Sequence, residues 1–186
     1  VERRVVPTAE DALSFAHEVA ETGDGRGHEW ELRVEYATDP DHDALLADVN
    51  FESADDHAYA VYAVADTALT KTNGVYGDDD ALIVDEDGNS YSVALTMATA
   101  DRFDWATVGT AGGEIDQFFA EGTPPETRDA VTDERVVMVG RLDTGRTVSD
   151  TVALGFARQA DVVASLGEAN GALADDFETV KSRYEA

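Results

Sequence analysis

Residues able to do chemistry are plentiful in this chain, yet they fall into no complete catalytic pattern. Asp85-Glu86-Asp87-Gly88-Asn89-Ser90-Tyr91 has the oxygen-rich look of a calcium loop. An EF-hand loop needs glycine at its sixth position and a bidentate glutamate at its twelfth, between two helices. Neither falls in place, so Asp87-Gly88-Asn89 reads as a hairpin turn. Asp78-Asp79-Asp80 reads as a solvated charge run. His17, His28, His42 and His57 lie in the first third without the spacing of a helical or hairpin metal pair, and separate surface histidines are expected. The chain has no cysteine, which excludes disulfides and thiolate metal sites. Gly109-Thr110-Ala111-Gly112-Gly113 lacks the lysine of a P-loop and the Rossmann spacing. No G-x-S-x-G elbow is present. The expectation is therefore no catalytic residue, no metal site and no cofactor.

Two carboxylates about 5 to 10 Å apart can hydrolyse a glycosidic bond when one of them is a raised-pKa acid. Among 40 acidic residues such pairs arise by chance, and the sequence nominates none. Aromatic rings on a sheet surface can stack on sugars. Tyr76 and Trp105, beside turn-like or polar sequence, are the candidate carbohydrate contacts, with core packing as the alternative for each.

Charge narrows the classes further. The 40 acidic residues face 13 basic ones, a net of -27, and Lys71 and Lys181 are the only lysines. Nucleic-acid binding needs phosphate-neutralising Lys and Arg patches, which this sequence lacks. Disorder is disfavoured by a hydrophobic content of 43%. The longest apolar stretch, Ala58 to Leu69, is broken by Asp66 and falls short of the roughly 18 residues of a membrane span. Such an acidic, lysine-poor surface suits a halophile's high-salt compartment, where the screening length drops from about 10 Å at 0.1 M to about 3 Å at 1 M.

The elements that must position these residues are mostly strands. Alternating or β-branched runs at Leu13 to Val19, Trp30 to Tyr36, Ala44 to Phe51, Tyr59 to Ala65, Ala81 to Val84 and Tyr91 to Met97 predict strands. Trp105 to Gly109, Val136 to Leu142 and Val148 to Phe156 add three more. Turn chemistry separates them at Thr22-Gly23-Asp24-Gly25, Asp39-Pro40-Asp41 and Asn73-Gly74, which predicts an antiparallel meander. Ile115 to Ala120 predicts a single helical turn. Near the end the period changes: Val162, Leu166, Ala169, Leu173, Phe177, Val180 and Tyr184 recur at three and four, which predicts one long amphipathic helix. The organisation expected is an antiparallel β-sandwich over 1–158 and a linker helix over 159–186. The start Val1-Glu2-Arg3-Arg4, without methionine, is expected of a piece excised from a longer protein.

One passage carries a resemblance. Tyr36-Ala37-Thr38-Asp39-Pro40-Asp41-His42-Asp43-Ala44-Leu45-Leu46, followed by Val49 and Phe51, resembles a Thr-Asp-Pro-then-strand passage in the N-terminal domain of glucoamylases and glucodextranases of glycoside hydrolase family 15. Tyr59 to Leu69 with Asn73-Gly74 is similar to the strand and loop that come next there. Val152-Ala153-Leu154-Gly155-Phe156, Ala164-Ser165-Leu166 and Phe177 with Arg183-Tyr184 resemble that domain's final strand and helix. The resemblance implies a mutarotase-like β super-sandwich, lacking its first several strands here, with a closing helix that leads to an (α/α) barrel. The family's catalytic glutamates sit in that barrel, so none carries over to this chain. The implied role is a non-catalytic accessory domain of a halophilic α-glucan hydrolase. Phe177, Val180 and Tyr184 would then dock the barrel, and open sheet edges would allow self-association. An α-glucan-binding module, and a mutarotase-like enzyme with a histidine and a carboxylate facing one sugar pocket, are the alternatives.

Because stability should depend on screening this surface charge, the thermal unfolding midpoint is expected to rise steeply between about 0.1 and 2 M KCl. A melt that is flat over that range removes the high-salt reading.

Overall fold

A computed structural model describes residues 1–8, 14–22, 28–67, 72–76, 81–85, 92–124, 126–128 and 130–183, with the backbone alone at Tyr76, Asp133 and Glu134. Twelve strands and three helices follow in the order β1 (Glu2–Pro7), β2 (Phe15–Thr22), β3 (Glu29–Thr38), β4 (Ala44–Ser53), β5 (Tyr59–Asp66), β6 (Thr72–Tyr76), β7 (Leu82–Asp85), β8 (Val93–Thr99), β9 (Trp105–Thr110), α1 (Glu114–Glu121), β10 (Ala130–Glu134), β11 (Val136–Gly145), β12 (Thr147–Arg158), α2 (Val162–Ala172) and α3 (Phe177–Ser182). They form a nine-stranded sheet, β1-β2-β3-β4-β12-β8-β7-β6-β10, and a three-stranded sheet, β5-β11-β9. Among the described residues all pairings are antiparallel. The protein is thus mainly β, with two sheets arranged as a sandwich.

Strand alternation decides which side chains meet. Val49, Phe51, Leu82, Met97 and Val152 of the large sheet point inward against Val108, Val136 and Met138 of the small one, forming the main core. The opposite face of the same strands is also apolar: Ala37, Leu46, Ala98 and Ala153 pack against Ala169, Ala172, Phe177 and Val180 of α2 and α3. On the outer face of the small sheet, α1 lays Ile115 and Phe118 over Val137 and Val139. The layers therefore run from the closing helices, through the large sheet and the core, to the small sheet and α1.

Glycine permits the tightest contact. At Gly155 of β12 a Cβ would strike the Ser165 carbonyl and come within 2.5 Å of the Ala169 nitrogen, so any side chain there must displace α2. Thr96 and Ser165, both fully buried, share a hydroxyl contact of 2.7 Å across this seam.

Several expectations are revised. Asn73-Gly74 is not a turn but part of β6, where Gly74 pairs with Val84 and Val131. Its missing Cβ makes room for Val136, whose Cγ1 would lie 2.6 Å from one. The closing helix is two helices rather than one. Asp176 starts the second by accepting from the Thr179 N–H at 2.8 Å, and Asp161 caps the first by accepting from Ala164 at 3.0 Å. The helical turn at Ile115 extends to the eight residues of α1. Strands β1, β6 and β10 were not expected. The turn residues Gly23 to Gly25, Asp78 to Asp80 and Asp87 to Asn89, along with Leu13, Leu69 and Tyr91, lie outside the described residues. Among the described residues, no helix is long and apolar enough to cross a membrane.

Candidate functional site

The most elaborate polar construction on the molecule fastens α3 to the large sheet. On β3, alternation turns Glu35 toward the helix side, where it is 6% exposed. Lys181 of α3 reaches its Oε1 at 2.6 Å, Arg33 its Oε2 at 2.9 Å, and the buried Ser14 hydroxyl lies 3.3 Å away. Burial pushes the Glu35 carboxyl up, but the hydrogen bonds from Lys181, Thr8 and Arg33 outweigh it and bring it down to about 2.

A second knot sits at the end of the same strand. Asp39 accepts from the Asp41 N–H at 2.9 Å, faces His42 Nδ1 at 2.9 Å and takes Arg183 Nη1 at 3.4 Å. Arg183 also pairs with Asp41 at 3.0 Å and with Asp175. The Thr38-Asp39-Pro40-Asp41-His42 passage is therefore the receptor for the last described turn of the chain.

An open groove of about 850 Å³ lies beside this knot, lined by Asp39, His42, Asp43, Leu95, Phe156 and Arg158 among others. A histidine beside a carboxylate in a groove of this size is what a sugar enzyme would need. The ring is packed in place: Nδ1 faces Asp39 at 2.9 Å and the Nε2 edge lies against Gly171 of α2. Asp39 is bound by Arg183, and Glu35, on the strand that leads into it, stays ionised at neutral pH and offers no proton. The carboxyl shifted the other way is Asp150, pushed up to about 6 by burial, with Asp101 and Asp143 adding to the shift against the Thr151 N–H, which donates to it at 2.7 Å.

The remaining sequence candidates are scattered. Trp105 is half-buried on the outer face of the small sheet, in edge contact with Tyr62 at 6.3 Å and tilted against Phe118 at 6.4 Å. The side chain of Tyr76, and all of Tyr184, lie outside the described residues. Phe177 and Val180 sit in the apolar layer between α3 and the large sheet, at 5% and 0% exposure. The histidines are not four separate surface groups, because the fold brings His28 and His57 together with ring centroids 5.2 Å apart and Asp55 beside both.

This arrangement of layers can be set beside known proteins. The whole chain, residues 1–186, matches the family described as glucodextranase, domain N. The chain belongs to that family. A bacterial glucoamylase crystallised with acarbose shares the fold with a TM-score of 0.74 at 13% identity, over 98% of this chain and 27% of that one. The domain N chain thus spans about a quarter of that glucoamylase. A galactose mutarotase related enzyme from Lactobacillus acidophilus aligns with a TM-score of 0.43 at 10% identity, over 87% of this chain and 73% of that one. No curated protein sequence matches.

Sequence reading of this domain N chain overlooked Glu35 and the role of Lys181. The available signal was the scarcity of lysine: one of only two falls in the closing helix. Glu35→Gln leaves the Lys181 ammonium, 14% exposed, with the exposed Glu178 carboxylate at 3.7 Å in place of the buried one at 2.6 Å, and is expected to cost about 2 kcal/mol in denaturant unfolding at neutral pH. The Glu35 carboxyl is lowered from 4.5 to about 2, so its contribution is full above 4.5 and disappears as pH falls toward 2. The variant should show a flatter stability profile across that window.

Proposed function

We propose that this chain is a non-catalytic N-terminal accessory domain of a glucoamylase-like or glucodextranase-like α-glucan hydrolase that works in molar salt, where it scaffolds an (α/α)-barrel catalytic domain. The observation that carries the reading is the family match along the full 186 residues, combined with a length only 27% of the glucoamylase that shares the fold. The two sheets would be the family's super-sandwich. Phe177 and Val180 would serve docking by fixing α3, so that the chain leaves toward Tyr184 in a set direction and presents the helix side of the large sheet to the barrel. Support for the lack of chemistry comes from the site itself: Glu35 and Asp39 are held by Lys181, Arg33 and Arg183, and His42 Nδ1 faces Asp39.

The 186-residue chain is expected to release no glucose from maltooligosaccharides or dextran in 2 M KCl. Turnover abolished by a single carboxylate substitution, with Asp150→Asn tested first because its carboxyl is raised to about 6, would overturn the accessory reading.

A further inference from the structure

We propose that His28, Asp55 and His57 form a binding site for one divalent transition-metal ion of the zinc class. His28 stands immediately before β3, and Asp55 and His57 lie in the link between β4 and β5, where the chain passes from the large sheet to the small one. One donor atom from each residue falls within 4.8 Å of the other two. His57 Nδ1 is 3.2 Å from Asp55 Oδ1, and His28 Nδ1 is 3.9 Å from Asp55 Oδ2. Tetrahedral coordination with bonds of about 2.0 Å sets donors about 3.3 Å apart. Of the three donor pairs, His57 and Asp55 are already at that separation through Oδ1, His28 approaches the other oxygen of Asp55, and no pair has more than about 1.5 Å to close.

The side chains have the mobility this requires. His28 and His57 are 38% and 60% exposed, so their rings can turn, while Asp55 is 7% exposed and held in place. Its carboxylate accepts from the Glu29 N–H at 3.0 Å, from the His57 N–H at 2.8 Å and from the Tyr59 hydroxyl at 2.6 Å. Tyr59 also lies 3.0 Å from His28 Nδ1. The three bonds to Asp55 are of the outer kind that orient a ligating carboxylate, while the Tyr59 contact on His28 Nδ1 must give way when that nitrogen takes the ion.

The donor set selects the ion. Two imidazoles and one carboxylate suit zinc, cobalt, nickel or copper, whereas calcium and magnesium prefer oxygen alone. In a chain with 40 acidic residues and four histidines, oxygen-only clusters arise by chance, but the meeting of two imidazoles on one buried carboxylate does not follow from composition. Three protein donors leave a fourth position for water. An ion there would staple the start of β3 to the β4–β5 link and stabilise the folded chain by mass action.

The test is calorimetric titration of the chelator-treated 186-residue chain with zinc chloride in 2 M KCl, with cobalt absorption as an independent readout of nitrogen ligation. The expected result is one ion per chain, a raised thermal midpoint, and affinity at least tenfold weaker in His28→Ala and in His57→Ala, while His17→Ala binds as the parent does. Near-ultraviolet circular dichroism checks that both variants are folded, and their exposed rings make that the expected state. Absence of one-to-one binding, a loss smaller than tenfold, or zinc uptake unchanged in the double variant, which would assign the metal to surface carboxylates, overturns the proposal.

Discussion

The structure depends on one constraint: the middle of the large sheet, β4-β12-β8, is apolar on both faces. Leu46, Ala98 and Ala153 face one way while Val49, Met97 and Val152 face the other. A sheet apolar on one side can rest on water with its other side; this one cannot. It therefore recruits the small sheet beneath it and two helices above it. Burial of each large side chain is worth roughly 1.5 to 3 kcal/mol, so Leu46, Phe177 and Val180 give the closing helices a substantial hold. The twelve-residue β12 pairs with both β4 and β8, which joins the first meander to the later strands. Gly155 on that strand lets α2 sit close enough to seal the outer face.

Electrostatics divides into two regimes on this scaffold. Most of the described acidic side chains are exposed to solvent, where their repulsion is long-ranged in dilute buffer and short-ranged in concentrated salt. Arg128, Arg135, Arg141 and Arg146 pair with carboxylates elsewhere on the molecule. Lys181, Arg183 and Arg33 turn toward the carboxylates at the helix–sheet seam, where Glu35 and Asp39 are shielded from water and screening is weak. Salt that quiets the surface should therefore leave the seam intact. For an accessory domain this separation is useful, since the orientation of α3 does not vary with the ionic strength that governs the surface.

Much of this was legible in the sequence because period-2 alternation survives wherever one sheet face meets a core. Trp30 to Tyr36, Ala44 to Phe51 and Tyr59 to Ala65 each lie inside an observed strand. The losses have physical causes. Asn73-Gly74 carries the chemistry of a tight turn, but the glycine is there for its small volume against Val136. The helical period runs unbroken through Leu173 and Phe177, yet Asp176 caps a new helix, and a cap is a local hydrogen bond that periodicity does not register. Strand β1, with Glu2, Arg3 and Arg4, is polar because it pairs only with β2 at the edge of the large sheet. The seam and the histidine cluster were out of reach for another reason: Glu35 meets Lys181, and His28 meets Asp55 and His57, only through the topology of the folded chain.

The account's central claim is that α2 and α3 belong to this domain's own core rather than waiting for a partner to cover them. Phe177 and Val180 are buried, Asp161 and Asp176 cap the two helices, and Lys181 and Arg183 bind carboxylates on or beside β3. Hydrogen exchange on the isolated 186-residue chain, proven monomeric in 2 M KCl, tests this directly. The account predicts that the hydrogen-bonded amides of Val162 to Arg183 are protected to a degree comparable with those of β12, as one cooperative unit. Fast exchange confined to Phe177 onward, with β12 and α2 still protected, would contradict it.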